Sequence, residues 1–207
     1  MTYLFDYLFV KIDALDNGYR YISFWSCLVH DEKNVVERAK KGDKDALAQI
    51  YEEYFDRIYR YIAVRLGDRT EAEDLTEQVF LKTLESIKSF KWKGTPFAAW
   101  LFRIAHNQII DYHRKMNKRQ NLPLDEAILS GGVDTAAAAE LKLTMDELKV
   151  AMTGLTDLQR QVIVLRFVSG LSILETAKSM GKSDGAVKAL QHSAVVALRK
   201  AMSGGWQ

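Results

Sequence analysis

The stretch from Ser172 to Lys200, SILETAKSMGKSDGAVKALQHSAVVALRK, decides the fold. Ser172 is placed to cap a short helix ending near Met180-Gly181, and Ser183 to cap a longer one running to about Lys200. Two helices joined by a turn of three or four residues that contains Gly form a helix-turn-helix. In such units the second helix enters the major groove of DNA and presents its N-terminal residues to base edges. Here that face reads Ser183, Asp184, Gly185, Ala186 and Lys188. The small residues Gly185, Ala186 and Ala189 allow close approach, and Lys188, Gln191 and His192 offer polar groups, whereas Val187 and Leu190 are assigned to the core.

Outward from this unit the pattern stays helical. Leu155-Thr156 precedes a helix through about Val168, and Gly170 breaks it. In 34–66, Val35, Ala39, Ala46, Ile50, Tyr54, Ile58, Tyr61, Ile62 and Leu66 recur at helical spacing, with a break at Gly42-Asp43. Gly67-Asp68 ends that segment, and Thr70 with Glu73 predicts a capping box for a helix over 71–89 that buries Leu75, Val79, Leu84 and Ile87. After the loop Phe90 to Gly94, Thr95 is the expected N-cap and Pro96 the first residue of a helix over 96–118, with Phe97, Trp100, Leu101, Ile104 and Ile109 as its apolar stripe. Residues 119–139 read as a linker, with Pro123, Gly131-Gly132 and the acids Asp125, Glu126 and Asp134. The expectation is an all-α chain of two small helical domains, 34–118 and 140–202, on a flexible linker, with 203–207 as a tail and the second domain a helix-turn-helix.

Residues 1–33 stand apart. Residues 1–28 hold 8 of the 22 aromatics, and alternating apolar residues around Asn17-Gly18 suit a small hairpin. An equal alternative is that translation starts further on, at a Val such as Val29 or Val35. Asp6, Lys11, Asp13 and Asp16 interrupt the apolar run, so neither a membrane span nor a signal peptide is expected, and the protein reads as cytoplasmic.

The net charge of +2 over 207 residues is a cancellation. Segment by segment it is −3 (1–32), −2 (33–87), +7 (88–119), −4 (120–160) and +4 (161–207). Two basic segments separated by an acidic one are the footprint a polyanionic partner requires, although solvated helix faces give the same pattern. A lone cysteine, Cys27, excludes a disulfide scaffold and a cysteine-based zinc cluster.

Four stretches, ALAQIYEEYFDRIYRY (46–61), AEDLTEQVFLKTL (72–84), PFAAWLFRIAHNQIIDYHR (96–114) and Leu155 to Lys200, together resemble the bacterial RNA polymerase sigma factors of the extracytoplasmic-function (ECF) group. The likeness covers about 34–202. It implies that the segment like 72–84 docks on core RNA polymerase, through Asp74, Glu77, Gln78 and Phe80, with Phe80 open to a core role instead. It implies that 88–119 meets the start-proximal promoter element and holds the melted non-template strand. The residues matching this role are Lys88, Phe90, Trp92, Lys93, Arg103, Asn107, Asp111, Arg114, Lys115, Lys118 and Arg119. Trp92 is equally suited to a place in the core. The helix-turn-helix would read the distal element of double-stranded promoter DNA through Ser172, Lys182, Ser183, Asp184, Gly185, Ala186, Lys188, Ala189, Gln191 and His192. Ser193, Val195 and Val196 stand where members often carry arginines, which implies weaker distal contacts or a larger apolar surface for another protein. An anti-sigma protein is a further candidate partner, and no cofactor is expected.

Other classes fit less well. His106 and His113 share a helical face with Asp111 nearby, but helical zinc sites space their ligands by three or four residues. No phosphate loop, nucleophile elbow or carboxylate pair asks for catalysis, so no enzyme is expected. A helix-turn-helix regulator acting without polymerase would need a sensor or dimerisation module at 34–118, where the sigma-like stretches lie. A pure interaction bundle leaves the +7 segment unexplained.

Overall fold

The computed structural model describes residues 32–120 and 151–203, and every regular element in them is helical. The readings of residues 1–31 as a hairpin and of most of 119–139 as a linker lie outside the described residues, as do the side chains of Lys118 and Arg119. The order is α1 (Glu32–Lys40), α2 (Lys44–Leu66), α3 (Arg69–Ser86), a 3-10 turn (Ile87–Ser89) and α4 (Phe97–Gln120). It continues with α5 (Asp157–Ile163), a π-helical turn (Val164–Val168), α6 (Ile173–Met180) and α7 (Asp184–Ser203).

Local chemistry sets each boundary. Gly42 takes φ +87°, which only glycine adopts without strain, and Asp43 then caps α2 by accepting from Asp45 N and Ala46 N. The other oxygen of Asp43 takes Arg38 Nε at 2.7 Å, tying the end of α1 to the start of α2. The expected cap at Thr70 is displaced. Asp68, directly after the left-handed Gly67, accepts from Glu71 N at 3.0 Å, so α3 begins two residues early and Glu73 pairs with Arg69 instead. The α4 boundary also shifts by one residue, because the Pro96 carbonyl takes Trp100 N–H and so occupies the cap position expected of Thr95.

Helix α3 buries Ala72, Leu75, Thr76, Val79, Phe80 and Thr83 against α2 and α4. Leu84, expected inside, is 47% exposed. At 100° per residue it lies about 100° from the centre of that face, and Thr83 takes the inward place. Thr76 and Thr83 enter the core because each hydroxyl donates to the carbonyl four residues back at 2.7 Å.

The C-terminal helices follow the expected punctuation. Thr156 forms a capping box with Gln159, and Ser172 forms one with Glu175. Gly170 (φ +70°) and Gly181 (φ +64°) turn the chain, and Ser183 Oγ accepts from Ala186 N. Helices α6 and α7, joined by Gly181 to Ser183, make the helix-turn-helix, with Val162, Ala177 and Val187 buried between its helices and α5. A larger buried cluster runs through both halves of the chain, from Val36 and Tyr61 to Leu165 and Leu198. The two helical units therefore share one continuous apolar interior, with α4 packed on α6 and α2 on the π-helical turn.

Candidate nucleic-acid and partner interfaces

The basic segment divides between a surface and a core. On α4, Arg103, Asn107, Arg114 and Lys115 are exposed and Asp111 is half-buried, forming a polar stripe opposite the apolar one that holds Leu101, Ala105 and Ile109. Arg114 donates to Asp111 at 3.2 Å, but with both side chains at least half exposed this pair contributes little and leaves Arg114 available. Lys88 and Lys93 are exposed in the loop before α4.

Phe90 is a correction, because it is only 3% exposed. Its ring meets Trp92 at 5.0 Å, Phe97 at 5.4 Å and Trp100 at 5.2 Å, which makes it the centre of an aromatic cluster. Trp92 is partly buried and donates its indole N–H to Glu37 Oε1 at 3.1 Å. Glu37 also takes Lys40 Nζ, and that hydrogen bond, followed by the one from Trp92, favours its ionised form and holds its carboxyl below the usual range. The loop thus carries lysines outward on an aromatic anchor.

The outer face of α3 carries Asp74, Glu77 and Gln78, all exposed. Phe80 takes the core place that its sequence left open: at 7% exposure it lies inside, 4.8 Å from the Tyr51 ring and 6.1 Å from that of Phe55. The sequence reading also missed Leu81 and Leu84, which are 60% and 47% exposed on the same face as Asp74 and Glu77. Beside them a groove of about 330 Å³ is lined by Leu47, Tyr51, Phe80, Leu84 and Ile87. The helical wheel could have revealed Leu81, since it falls opposite Leu75 and Val79.

In the helix-turn-helix, Asp184, Gly185, Lys188, Ala189 and His192 form an exposed stripe, with Lys182 and Ala186 half-buried at its edge. Gln191 is corrected from this set, because its side-chain oxygen accepts from Arg166 Nε at 3.0 Å and the residue is half-buried. Arg166 also donates to the Leu171 carbonyl, so Gln191 belongs to the bonding that fixes α7 on the π-helical turn. The hydroxyls of Ser172 and Ser183 are engaged as caps and position their helices. Val195 is buried and Val196 is 50% exposed, so the apolar surface expected from the pair shrinks to one residue.

His106 holds a position between the two units. Its Nδ1 lies 3.3 Å from Tyr61 Oη and 3.3 Å from Gln161 Nε2, so the neutral ring accepts from the Gln161 amide. Burial pushes its pKa below the ordinary value of 6.5, and Arg65 adds to the shift. The unfolded chain then binds the proton more readily than the folded one. Stability is expected to be complete above about pH 6.5 and to fall as the pH drops below it, because protonation turns Nδ1 into a donor facing the Gln161 donor. Urea midpoints between pH 7.5 and 5.5 measure this, and His106→Gln should flatten the part due to this ring.

Among the described residues no cluster of three or more His, Cys, Asp or Glu could hold a metal ion, and no helix is long and apolar enough to cross a membrane.

Comparison with known proteins agrees with this layout. Residues 50–120 match the family described as Sigma-70 region 2, and residues 151–200 match Sigma-70, region 4. The ECF RNA polymerase sigma factor BldN of Streptomyces coelicolor is 38% identical over 168 residues, covering 80% of this chain and 64% of BldN, so the chain spans less than two thirds of that relative. The ECF RNA polymerase sigma factor SigW of Bacillus subtilis is 33% identical over 181 residues, covering 81% of this chain and 95% of SigW. Among solved structures, CnrH in complex with the cytosolic domain of CnrY shares the fold at TM-score 0.64 and 22% identity, over 84% of this chain and 99% of that one. The sigma factor RpoE of Bartonella quintana, solved with the anti-sigma factor NepR, shares it at 0.60 and 23%, over 75% and 96%. With a region 2 unit, a region 4 helix-turn-helix and these relatives, the chain belongs to the ECF group of RNA polymerase sigma factors, a family of promoter-recognition subunits.

Proposed function

We propose that this chain binds core RNA polymerase through the outer face of α3, reads and opens the proximal promoter element with α4 and the loop before it, and reads the distal element with α7. The observation that carries this reading is the separation of surfaces on one small unit. An acidic and apolar face on α3 suits a protein partner, and a basic, amide-bearing stripe on α4 suits a nucleic acid. Lys88, Lys93, Arg103, Arg114 and Lys115 contact phosphates, and Asn107 offers both a donor and an acceptor to a base. On α7, Lys188, Ala189 and His192 face the major groove, and Gly185 and Ala186 let the helix approach it.

In this role 34–118 and 140–202 act as two arms joined by 119–139, and the chain performs no chemistry of its own. The polymerase and its DNA place the protein in the cytoplasm. CnrH and RpoE were solved with CnrY and NepR bound, and the exposed Leu81 and Leu84 of α3 offer an apolar surface to an anti-sigma partner here.

The test is in vitro transcription with bacterial core enzyme on genomic fragments. Adding the chain should create new start sites, and Asn107→Ala should reduce strand opening, read with permanganate, by about tenfold while core binding persists. Absence of both core binding and new start sites would remove the reading.

A further inference from the structure

Helix α7 is seated on the rest of its unit by an apolar line, Val187, Ala194 and Leu198, and apolar contact has no preferred direction about the helix axis. Two side-chain hydrogen bonds flank that line. On one side Arg166 Nε donates to Gln191 Oε1 at 3.0 Å, and the same guanidinium donates to the Leu171 carbonyl. On the other side Gln159 Nε2 donates to Ser193 Oγ at 3.0 Å. At 100° per residue Gln191 and Ser193 lie about 160° apart around α7, so the two bonds resist rotation of the helix in opposite senses.

Each donor is itself held. Gln159 Oε1 accepts from Thr156 N at 3.0 Å and from Thr156 Oγ1 at 3.1 Å, which turns the amide nitrogen toward α7. Ser193 Oγ donates its hydrogen to the Leu190 carbonyl at 3.0 Å and so presents a lone pair to Gln159. Arg166 lies in the middle of the π-helical turn, a wide turn that occurs mostly singly and often at functional sites. Both of its acceptors are neutral, burial disfavours its charge, and Glu175, which favours the charge, is bonded to Ser172 N at 2.7 Å. A buried cation held in this way adds little to stability compared with an apolar side chain of similar volume. What it adds is direction, because the planar fork fixes Gln191 and the Leu171 carbonyl at once.

We propose that Arg166 and Gln159 are positioning residues for distal promoter reading, gripping α7 from both flanks so that its roll aims Lys188 and His192 at the base edges. The proposal rests on the reading of α7 as the distal DNA surface. Gln191 lies three residues past Lys188 and directly before His192, so the Arg166 bond anchors the exposed stripe at its edge. Base contacts are short and directional, and an error of about 1 Å in the side chains that support them is enough to lose them. Ser193, read from the sequence as a weakened distal contact, contributes instead through the helix that carries the contacts.

The test uses the full chain with core enzyme and a promoter duplex selected by that holoenzyme, next to a copy whose distal element is replaced. Arg166→Met should lower the preference for the intact duplex about tenfold, leave binding to the altered copy unchanged, and keep the urea midpoint close to that of the wild type. An unchanged preference overturns the proposal. So does an equal loss on both duplexes with a lower midpoint, which is the mark of a merely structural residue. If circular dichroism shows that Arg166→Met does not fold, the other flank carries the test. Ser193→Ala and Gln159→Ala should each lower the preference about threefold, and together no more than either alone. There, an unchanged preference or losses that add overturn the proposal. Failure of the α7 reading itself looks different. The wild-type holoenzyme would then bind both duplexes equally, and the positioning role would fall with it.

Discussion

Phe90→Ala is expected to cost about 3–5 kcal/mol of folding stability, a large share of the roughly 5–15 kcal/mol that holds a domain folded. The ring is buried among Trp92, Phe97 and Trp100, and its removal leaves a cavity that the first turn of α4 cannot fill without moving. Urea unfolding followed by tryptophan fluorescence should show a lower midpoint with an unchanged slope. A drop below about 1 kcal/mol, together with a loss of strand opening, would instead return Phe90 to the role of a base-binding ring. The distinction matters for the whole loop, because Lys88 and Lys93 are aimed by the cluster beneath them. Phe90→Leu, which keeps most of the volume, should recover much of the stability.

The second large effect is on association. Leu81→Asp with Leu84→Asp should weaken binding to core polymerase by about 100-fold or more, since buried interface anchors contribute about 2 kcal/mol or more each. Folding should change little, because both side chains are exposed in the free chain. Fluorescence anisotropy of a labelled chain titrated with core enzyme measures the first, and urea unfolding the second. Undiminished affinity would move the polymerase surface away from the outer face of α3. Asp74, Glu77 and Gln78 surround these leucines and form a polar rim around an apolar centre.

Much of this chain could be read in the sequence wherever the deciding chemistry was local. Ser172 with Glu175, and Gly181 before Ser183, set the helix-turn-helix within a dozen residues, and each cap is present as expected. The same Thr-x-x-Glu pattern at Thr70 failed because Gly67 had already turned the chain and Asp68 stood ready two residues earlier. Leu84 was misplaced because its apolar character argued for burial. The helix phase placed Thr83 inside, and the hydroxyl's bond to Val79 made that position acceptable. Phe90 and Gln191 were assigned to DNA on residue type, and each is instead held by partners distant in sequence, Trp100 and Arg166 among them. The bonds from Arg57 to the Ser169 carbonyl and from Arg103 to the Lys178 carbonyl, which join the two helical units, had no signature at all, since their acceptors are backbone groups that every residue carries. The ECF resemblance supplied the architecture and the candidate functional segments as far as motifs reach, and side-chain burial decided which residues within them face outward.

The continuous apolar interior also bears on synthesis. Side chains of α2 and α4 share one buried cluster with Ile163, Leu165 and Leu198, which leave the ribosome later. At about 5–20 residues per second, roughly 4–16 s separate the end of α4 from the end of α7. During that interval the nascent α1–α4 unit carries an uncovered apolar flank, and whichever binder reaches it first, its own C-terminal helices or another protein, determines the state in which the chain is born.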